Sequence, residues 1–407
     1  MINLRIHRVP CKGKSARQLL AFCMVGALLL LAGCSMSMKQ AKPNATADES
    51  APTGPQVTIS SNVKDGDVSV PLGQRVRVAV EHGSIESVSL TRGAGVKQLP
   101  GTTGADGLTW VSRSHLTPGA TYALNVKAVS DEGNVKTLES AFTTQDLSKD
   151  QQTFPSFFPT SGSTVGVGMP VIIKFDLPVR NKKRFENNIS VVTAPVQEGG
   201  FRWISDNELR WRPAKFWHAG TKVTVKANVG GVPAGNGIFG QTDRTLRFNI
   251  GRSLISRVNI ETHQMRVFKN GKLINTIPIT TGRQPEHTTR SGVKLIMEKY
   301  RTKDMNSETI GIDPDSADGY DLSGVEFAQR ITSSGEFIHA APWSVGSQGH
   351  ANVSHGCTGM STSNAGWLYG QTIIGDPVIY TGSNRPMTLT NGYGDWNVSF
   401  ADYIAGR

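Results

Sequence analysis

Cysteine is scarce, with four in 407 residues. That density excludes a disulfide-stapled scaffold. Long apolar runs are scarcer still. Only residues 19–31 approach the length of a membrane span, which excludes a polytopic membrane protein. The body has no Lys/Arg cluster interleaved with aromatics, so nucleic acid is not an expected partner. Glycine (44) and proline (20) make up about a sixth of the chain. That is turn-rich, but too little for a collagen-like or wholly disordered chain. At roughly 150 residues per domain, the length implies two to four domains.

The formal net charge is +11. Arg5, Arg8, Lys12, Lys14 and Arg17 precede the apolar run, and residues 1–33 hold no acid, which leaves 11 − 5 = +6 on the remainder. A mild excess of this kind is a solvated face, with some attraction to an anionic envelope polymer or lipid surface. The basic stretch, the short apolar run and the ending Leu31-Ala32-Gly33-Cys34 have the order of an export signal. The ending resembles the bacterial lipobox, which implies lipidation of Cys34 and removal of residues 1–33. Cys11 and Cys23 then leave with the signal, and Cys357 is the one free thiol of the mature chain. Residues 34–56 lack aromatics and bulky aliphatics other than Met, so they read as a flexible tether. Fully extended, it reaches about 70 Å.

Residues 57–250 alternate in short strands separated by Gly, Pro and Asn turns. They contain an internal repeat. Leu108, Trp110 and Gly119 recur as Leu209, Trp211 and Gly220. A period near 100 residues of alternating strands predicts two immunoglobulin-like sandwiches, 57–147 and 148–250. Neither has a cysteine pair, so core packing alone must hold them, and the repeated Trp is read as core.

After Gly251 the pattern changes. Residues 258–279 read as strands about Asn270-Gly271, a type I′ hairpin signal. Residues 293–300 read as one further strand. Residues 327–331 and 336–339 flank Ser333-Ser334-Gly335 as a second hairpin. Ser361 or Ser363 caps a short helix over 364–369, followed by a strand over 377–381. The expected fold is mainly β: two Ig-like sandwiches, a β-rich catalytic domain over 251–382, and an extension over 383–407 packed back on it.

The chemistry concentrates between His339 and Cys357. A thiol with an ordinary pKa of about 8.5 is only a few per cent thiolate at pH 7. A neighbouring imidazole that takes its proton makes it a nucleophile. His355 lies two residues before the thiol, and His339 lies on a separate segment from which it can approach as a base. Gly356 lets backbone N–H groups come close to a reacting carbonyl, as an oxyanion hole requires. His339, His350, His355 and Cys357 could instead ligate zinc, but H-x4-H-x-C is not a common closed-site spacing.

His339, fourteen residues, then Ser354-His355-Gly356-Cys357 resembles the signature of the L,D-transpeptidases with a YkuD-type catalytic domain. With the two repeats, the lipobox and the Trp-containing tail, the chain is similar to the actinobacterial type of that family. The resemblance implies a peptidoglycan tetrapeptide stem as acyl donor. The thiol attacks the carbonyl of the third residue, D-Ala leaves, and the thioester passes to another stem as a 3→3 cross-link. No metal or other cofactor is implied, and carbapenems are the implied covalent inhibitors. Carried over residue by residue, Cys357 is the nucleophile, His339 the general base, and the Ala340 carbonyl the group that orients it. Gly356 and Cys357 N–H groups form the oxyanion hole. Ser354 and His355 brace the loop and contact substrate, Tyr320 is a lid, and Met305 and Trp343 are pocket walls.

Two departures stand out. Where the family carries Asn or Arg two residues after the nucleophile, this chain has Gly359, which bears on donor recognition. The Tyr320-to-His339 spacing is one residue longer. Alternatives are an L,D-carboxypeptidase or protein-to-wall attachment through the same acyl-enzyme, or a non-catalytic envelope scaffold. The expected state is a monomer, lipid-anchored to the outer face of the cytoplasmic membrane and facing the wall.

Overall fold

The computed structural model describes residues 55–93 and 97–406. The export segment, most of the tether and Cys34 lie outside the described residues. Among the described residues, no helix is long and apolar enough to cross a membrane.

Two pairs of four-stranded sheets form the first half. In the first pair, Thr58–Ser61, Arg77–Glu81, Thr109–Ser112 and Gly101–Thr103 pair in that order. In the second pair the same places are held by Pro155–Phe158, Val171–Phe175, Glu208–Pro213 and Gly199–Trp203. The repeat is therefore a repeat of sheet order. Trp110 and Trp211 lie at matching places, each 5% exposed. Each ring crosses a glycine on the neighbouring strand. A Cβ on Gly101 would stand 2.0 Å from the Trp110 ring, and one on Gly199 would stand 2.1 Å from that of Trp211. No side chain fits under either indole, so glycine at these strand positions is a packing requirement.

The catalytic half is two sheets packed around Leu254, Val258, Met265, Ile277, Ile296, Ile338, Met360, Leu368 and Tyr380. The five-stranded sheet runs Lys272–Pro278, Gln264–Lys269, Leu254–Asn259, Pro377–Thr381, Gly292–Leu295. The four-stranded sheet runs Glu298–Asn306, Asp321–Arg330, Phe337–Ala340, Thr358–Met360. Asn270 and Gly271 both have positive φ, 50° and 80°, as a type I′ turn needs.

The strand expected over 293–300 is in fact two strands in different sheets. The chain turns the corner at Ile296 and Met297. Ile296 N–H donates to the Asp376 carbonyl at 3.0 Å, and Met297 N–H donates to that of Arg330 at 2.8 Å. Leu295, Ile296 and Met297 are three apolar residues in a row, a run that also reads as buried strand, so the sequence does not single out a corner.

The helix Thr362–Gln371 is capped by Ser361, whose hydroxyl accepts from the Asn364 N–H at 3.3 Å. It packs on Asp321–Arg330 and Phe337–Ala340. The tail reaches further than the catalytic half. Its helix Phe400–Ala405 packs against Gly199–Trp203 of the second sandwich. Asn397 returns to the catalytic half, accepting from the Val293 N–H at 2.7 Å and donating to its carbonyl at 2.8 Å.

Candidate active site

Parallel pairing of Phe337–Ala340 with Thr358–Met360 sets His339 opposite Gly359. Partners in a ladder share a face, and so do residues two apart. His339 and Cys357 are therefore delivered to one side of the sheet, and both line a cavity of about 280 Å³. Met305, Tyr320, Trp343, Ser354, His355 and Gly359 line it too. Residues that the sequence did not single out complete the wall: Thr280, Leu322, Ala341, Ser344 and Val353. Trp343 stands at the rim, 58% exposed, with its ring 5.9 Å from that of His339.

His339 is buried, and its Nδ1 lies 2.8 Å from the Ala340 carbonyl. A carbonyl only accepts, so Nδ1 carries the proton and Nε2 keeps its lone pair. Burial lowers the imidazole pKa, partly opposed by that carbonyl. The ring is thus a neutral base at pH 7. Burial also pushes the Cys357 thiol up to about 11, with the Phe337 N–H the main opposing influence. That N–H donates to Sγ at 3.4 Å. The resting pair is neutral imidazole and neutral thiol.

The nucleophile loop is braced at each peptide. Ser354 Oγ donates to the Cys357 carbonyl at 2.6 Å and accepts from the Gly356 N–H at 3.2 Å. Thr289 Oγ1 donates to the Gly356 carbonyl at 2.8 Å and accepts from the Gly282 N–H at 2.8 Å. A trans peptide points its N–H opposite its carbonyl. Holding the Gly356 carbonyl on Thr289 therefore aims the Cys357 N–H the other way. Gly356 itself has φ +122°, a conformation that favours glycine. Its N–H is engaged by Ser354.

Behind the thiol lies a buried charge cluster that the sequence did not reveal. Glu336 accepts from Lys294 Nζ and, at 2.9 Å, from Arg290 Nη1. Lys294 is fully buried, with Nζ 3.9 Å from the centre of the Tyr380 ring. Its burial lowers the ammonium pKa while Glu336 opposes the shift.

Gly359 is explained by its surroundings. Its N–H and carbonyl exchange 2.9 Å bonds with the backbone of Thr280. A Cβ there would stand 2.9 Å from Ala341 Cβ and 3.1 Å from Thr280 Cγ2. Any side chain there would have to push these two neighbours aside. The zinc set weighed from spacing is not the set that converges. His350 is exposed, and Nδ1 of His339 is engaged. Among the described residues, the metal-ligating atoms that approach one another belong to His287, Asp318 and His355.

A thiol and a neutral imidazole facing one cavity, in this fold, define a cysteine-dependent acyltransferase. Residues 254–379 match the L,D-transpeptidase catalytic domain model, and residues 67–233 match a bacterial Ig domain model. The chain is 33% identical over 392 residues to L,D-transpeptidase 2 of Mycobacterium tuberculosis, covering 96% of this chain and 95% of that one. It is 32% identical over 366 residues to L,D-transpeptidase 5 of the same species, covering 88% and 78%. A solved LD transpeptidase in complex with imipenem superposes with a TM-score of 0.50 at 37% identity, covering 57% of this chain and 99% of that one. The chain belongs to the L,D-transpeptidase family.

Proposed function

We propose that the chain cross-links peptidoglycan stems 3→3 through a thioester on Cys357. His339 Nε2 takes the thiol proton as Sγ attacks the carbonyl of the third residue of a donor tetrapeptide. The oxyanion develops against the Cys357 N–H, a fixed donor that needs no reorganisation. His339 returns the proton to the departing D-Ala amine, leaving the thioester. It then takes a proton from the incoming acceptor amine, which displaces Sγ. The cleaved amide supplies the energy, so no nucleotide is required.

A second cavity supports two-substrate chemistry. Lys303, Asp304, Thr309, Arg330, Ser333 and Gly335 line it, again about 280 Å³, and it shares Met305, Tyr320 and Cys357 with the first. One mouth is mainly apolar and passes His339; the other carries both charge signs. Mixed charge suits the zwitterionic end of a diamino-acid side chain, while the first cavity takes the donor backbone. Tyr320 lies between them as the lid, and Met305 and Trp343 act as walls.

The lipobox Leu31-Ala32-Gly33-Cys34 supports a lipid anchor at Cys34 and a site on the outer face of the cytoplasmic membrane. The sandwiches over 57–147 and 148–250 then serve as a spacer that holds the catalytic domain, 251–382, off the membrane, with 383–407 as its strap.

The juxtaposition of Cys357 and neutral His339 at one cavity carries this reading. A donor tetrapeptide whose side-chain amine is acetylated, so that it cannot act as acceptor, tests it. Intact-mass spectrometry should show the enzyme heavier by the tripeptide acyl group, and the Cys357→Ala chain unmodified. Equal labelling of both chains would place the acyl group elsewhere.

A further inference from the structure

At the edge of the catalytic cavity lies a cluster of which His355 alone lines the cavity. One ring nitrogen of His287, one of His355 and a carboxylate oxygen of Asp318 lie within 4.8 Å of one another. The two imidazole rings are 4.5 Å apart between centres. His287 Nε2 is buried and has no hydrogen-bond partner. It lies 3.6 Å from Asp318 Oδ1, too far for a hydrogen bond. A buried, unpaired ring nitrogen aimed at a carboxylate is a costly arrangement unless something sits between them.

The scaffold holds two of the three groups firmly. Arg283 N–H donates to the Ser354 carbonyl at 2.8 Å, and His287 N–H donates to the Arg283 carbonyl at 2.8 Å. Gly282 is required there, because a Cβ would stand 1.8 Å from the His287 carbonyl oxygen. His287 and His355 therefore sit on segments tied through the backbone. Asp318 sits on the loop that carries Tyr320. The Tyr320 ring in turn lies 5.1 Å from that of His355. Arg283 Nη2 reaches Asp318 Oδ1 at 2.8 Å and is the competing cation, on an exposed side chain that can swing away.

We propose that His287, Asp318 and His355 form a binding site for a first-row divalent cation, Zn²⁺ by its donor set, which staples the Tyr320 loop to the nucleophile loop. Two imidazoles and a carboxylate with open positions are a common ligand set for such ions. Zinc–ligand bonds of about 2.0–2.1 Å put tetrahedral ligand atoms about 3.4 Å apart. His287 Nε2 and Asp318 Oδ1, 3.6 Å apart, already stand close to that spacing. Occupation would close the mouth of the cavity without contact to Sγ, and so slow donor entry. That consequence rests on the transpeptidase reading; the binding does not.

The test uses the full chain in detergent, with Zn²⁺ titrated by calorimetry and Co²⁺ followed by its visible absorbance. The expected result is one equivalent bound by the Cys357→Ala chain as by the wild type, with affinity about 100-fold weaker in both His287→Ala and Asp318→Asn. Hydrogen exchange of residues 307–320 should slow on adding Zn²⁺ in the wild type and not in His287→Ala. Binding that survives both ligand variants, or that vanishes with Cys357→Ala, would overturn the site and place the metal on the thiol. Metal binding with no change in exchange would overturn the staple.

Discussion

At Cys357 and His339 the chemistry is set by burial. Both groups rest neutral, the imidazole lowered and the thiol raised. The expected acylation rate, measured in chelator-treated buffer, is then flat from about pH 7 to 9. It falls at lower pH, as the imidazole protonates below its usual 6.5. For a base, a lowered pKa widens the neutral window downward, so the fall begins below 6.5 and not at it. His339→Ala should be slower and gain tenfold per pH unit over that range, because hydroxide must replace the base. A variant with the same flat profile would make His339 structural. Imipenem should add its mass to the wild type and not to Cys357→Ala. Gly359→Ala forces a Cβ against Ala341 and Thr280, at an expected cost of about 1–3 kcal/mol in denaturant unfolding. The thiol beside His355 and Gly356 was legible in the sequence because, among the described residues, Cys357 is the one cysteine. Thr289, Lys294 and Glu336 were not. They meet the nucleophile loop from distant segments, and their types alone do not tell a brace from a surface group.

Strand order and corners decide what the elements deliver. The parallel pair that seats His339 opposite Gly359 depends on Thr289 and Ser354 to fix the loop between them. Thr289→Val keeps the shape and removes the bond to the Gly356 carbonyl. It also strips the Gly282 N–H of its acceptor, so acylation should fall about tenfold and stability to unfolding should drop by about 1–3 kcal/mol. An unchanged acylation rate would show that the loop holds its peptide without Thr289. The hairpin at Asn270-Gly271 and the Ser361 cap were readable because turns and caps demand particular residues. The corner at Ile296–Met297 was not, since the apolar run Leu295-Ile296-Met297 reads equally well as one continuous buried strand. The repeat was readable from Trp110 and Trp211, but the partnering of each indole with Gly101 or Gly199 needed the sheets.

Across the molecule, the tail joins the second sandwich to the catalytic half. Asp395 is fully buried, accepts from Arg210 Nη1 at 2.9 Å and from the Tyr403 hydroxyl at 3.1 Å. Arg212 stacks on Trp396 and Tyr403, 4.7 and 4.5 Å from their ring centres. Trp396 Nε1 donates to the Gly168 carbonyl at 2.7 Å. Arg210→Met leaves the Asp395 carboxylate buried without its cation. Such breaks cost about 3–5 kcal/mol, so thermal unfolding should drop sharply or split into two transitions. A single unshifted transition would show that the strap is not structural. The aromatic tail hinted at packing. Its reach onto Gly199–Trp203 was not visible, because the partners are two hundred residues away.

The central claim is acyl transfer between stems through Cys357. The most direct measurement incubates the full chain with disaccharide-tetrapeptide fragments and reads the products by mass spectrometry. The expected products are dimers that lack one D-Ala and are joined through the third residues, with none from Cys357→Ala. Tripeptide monomers alone, or dimers formed equally by the Cys357→Ala chain, would contradict it.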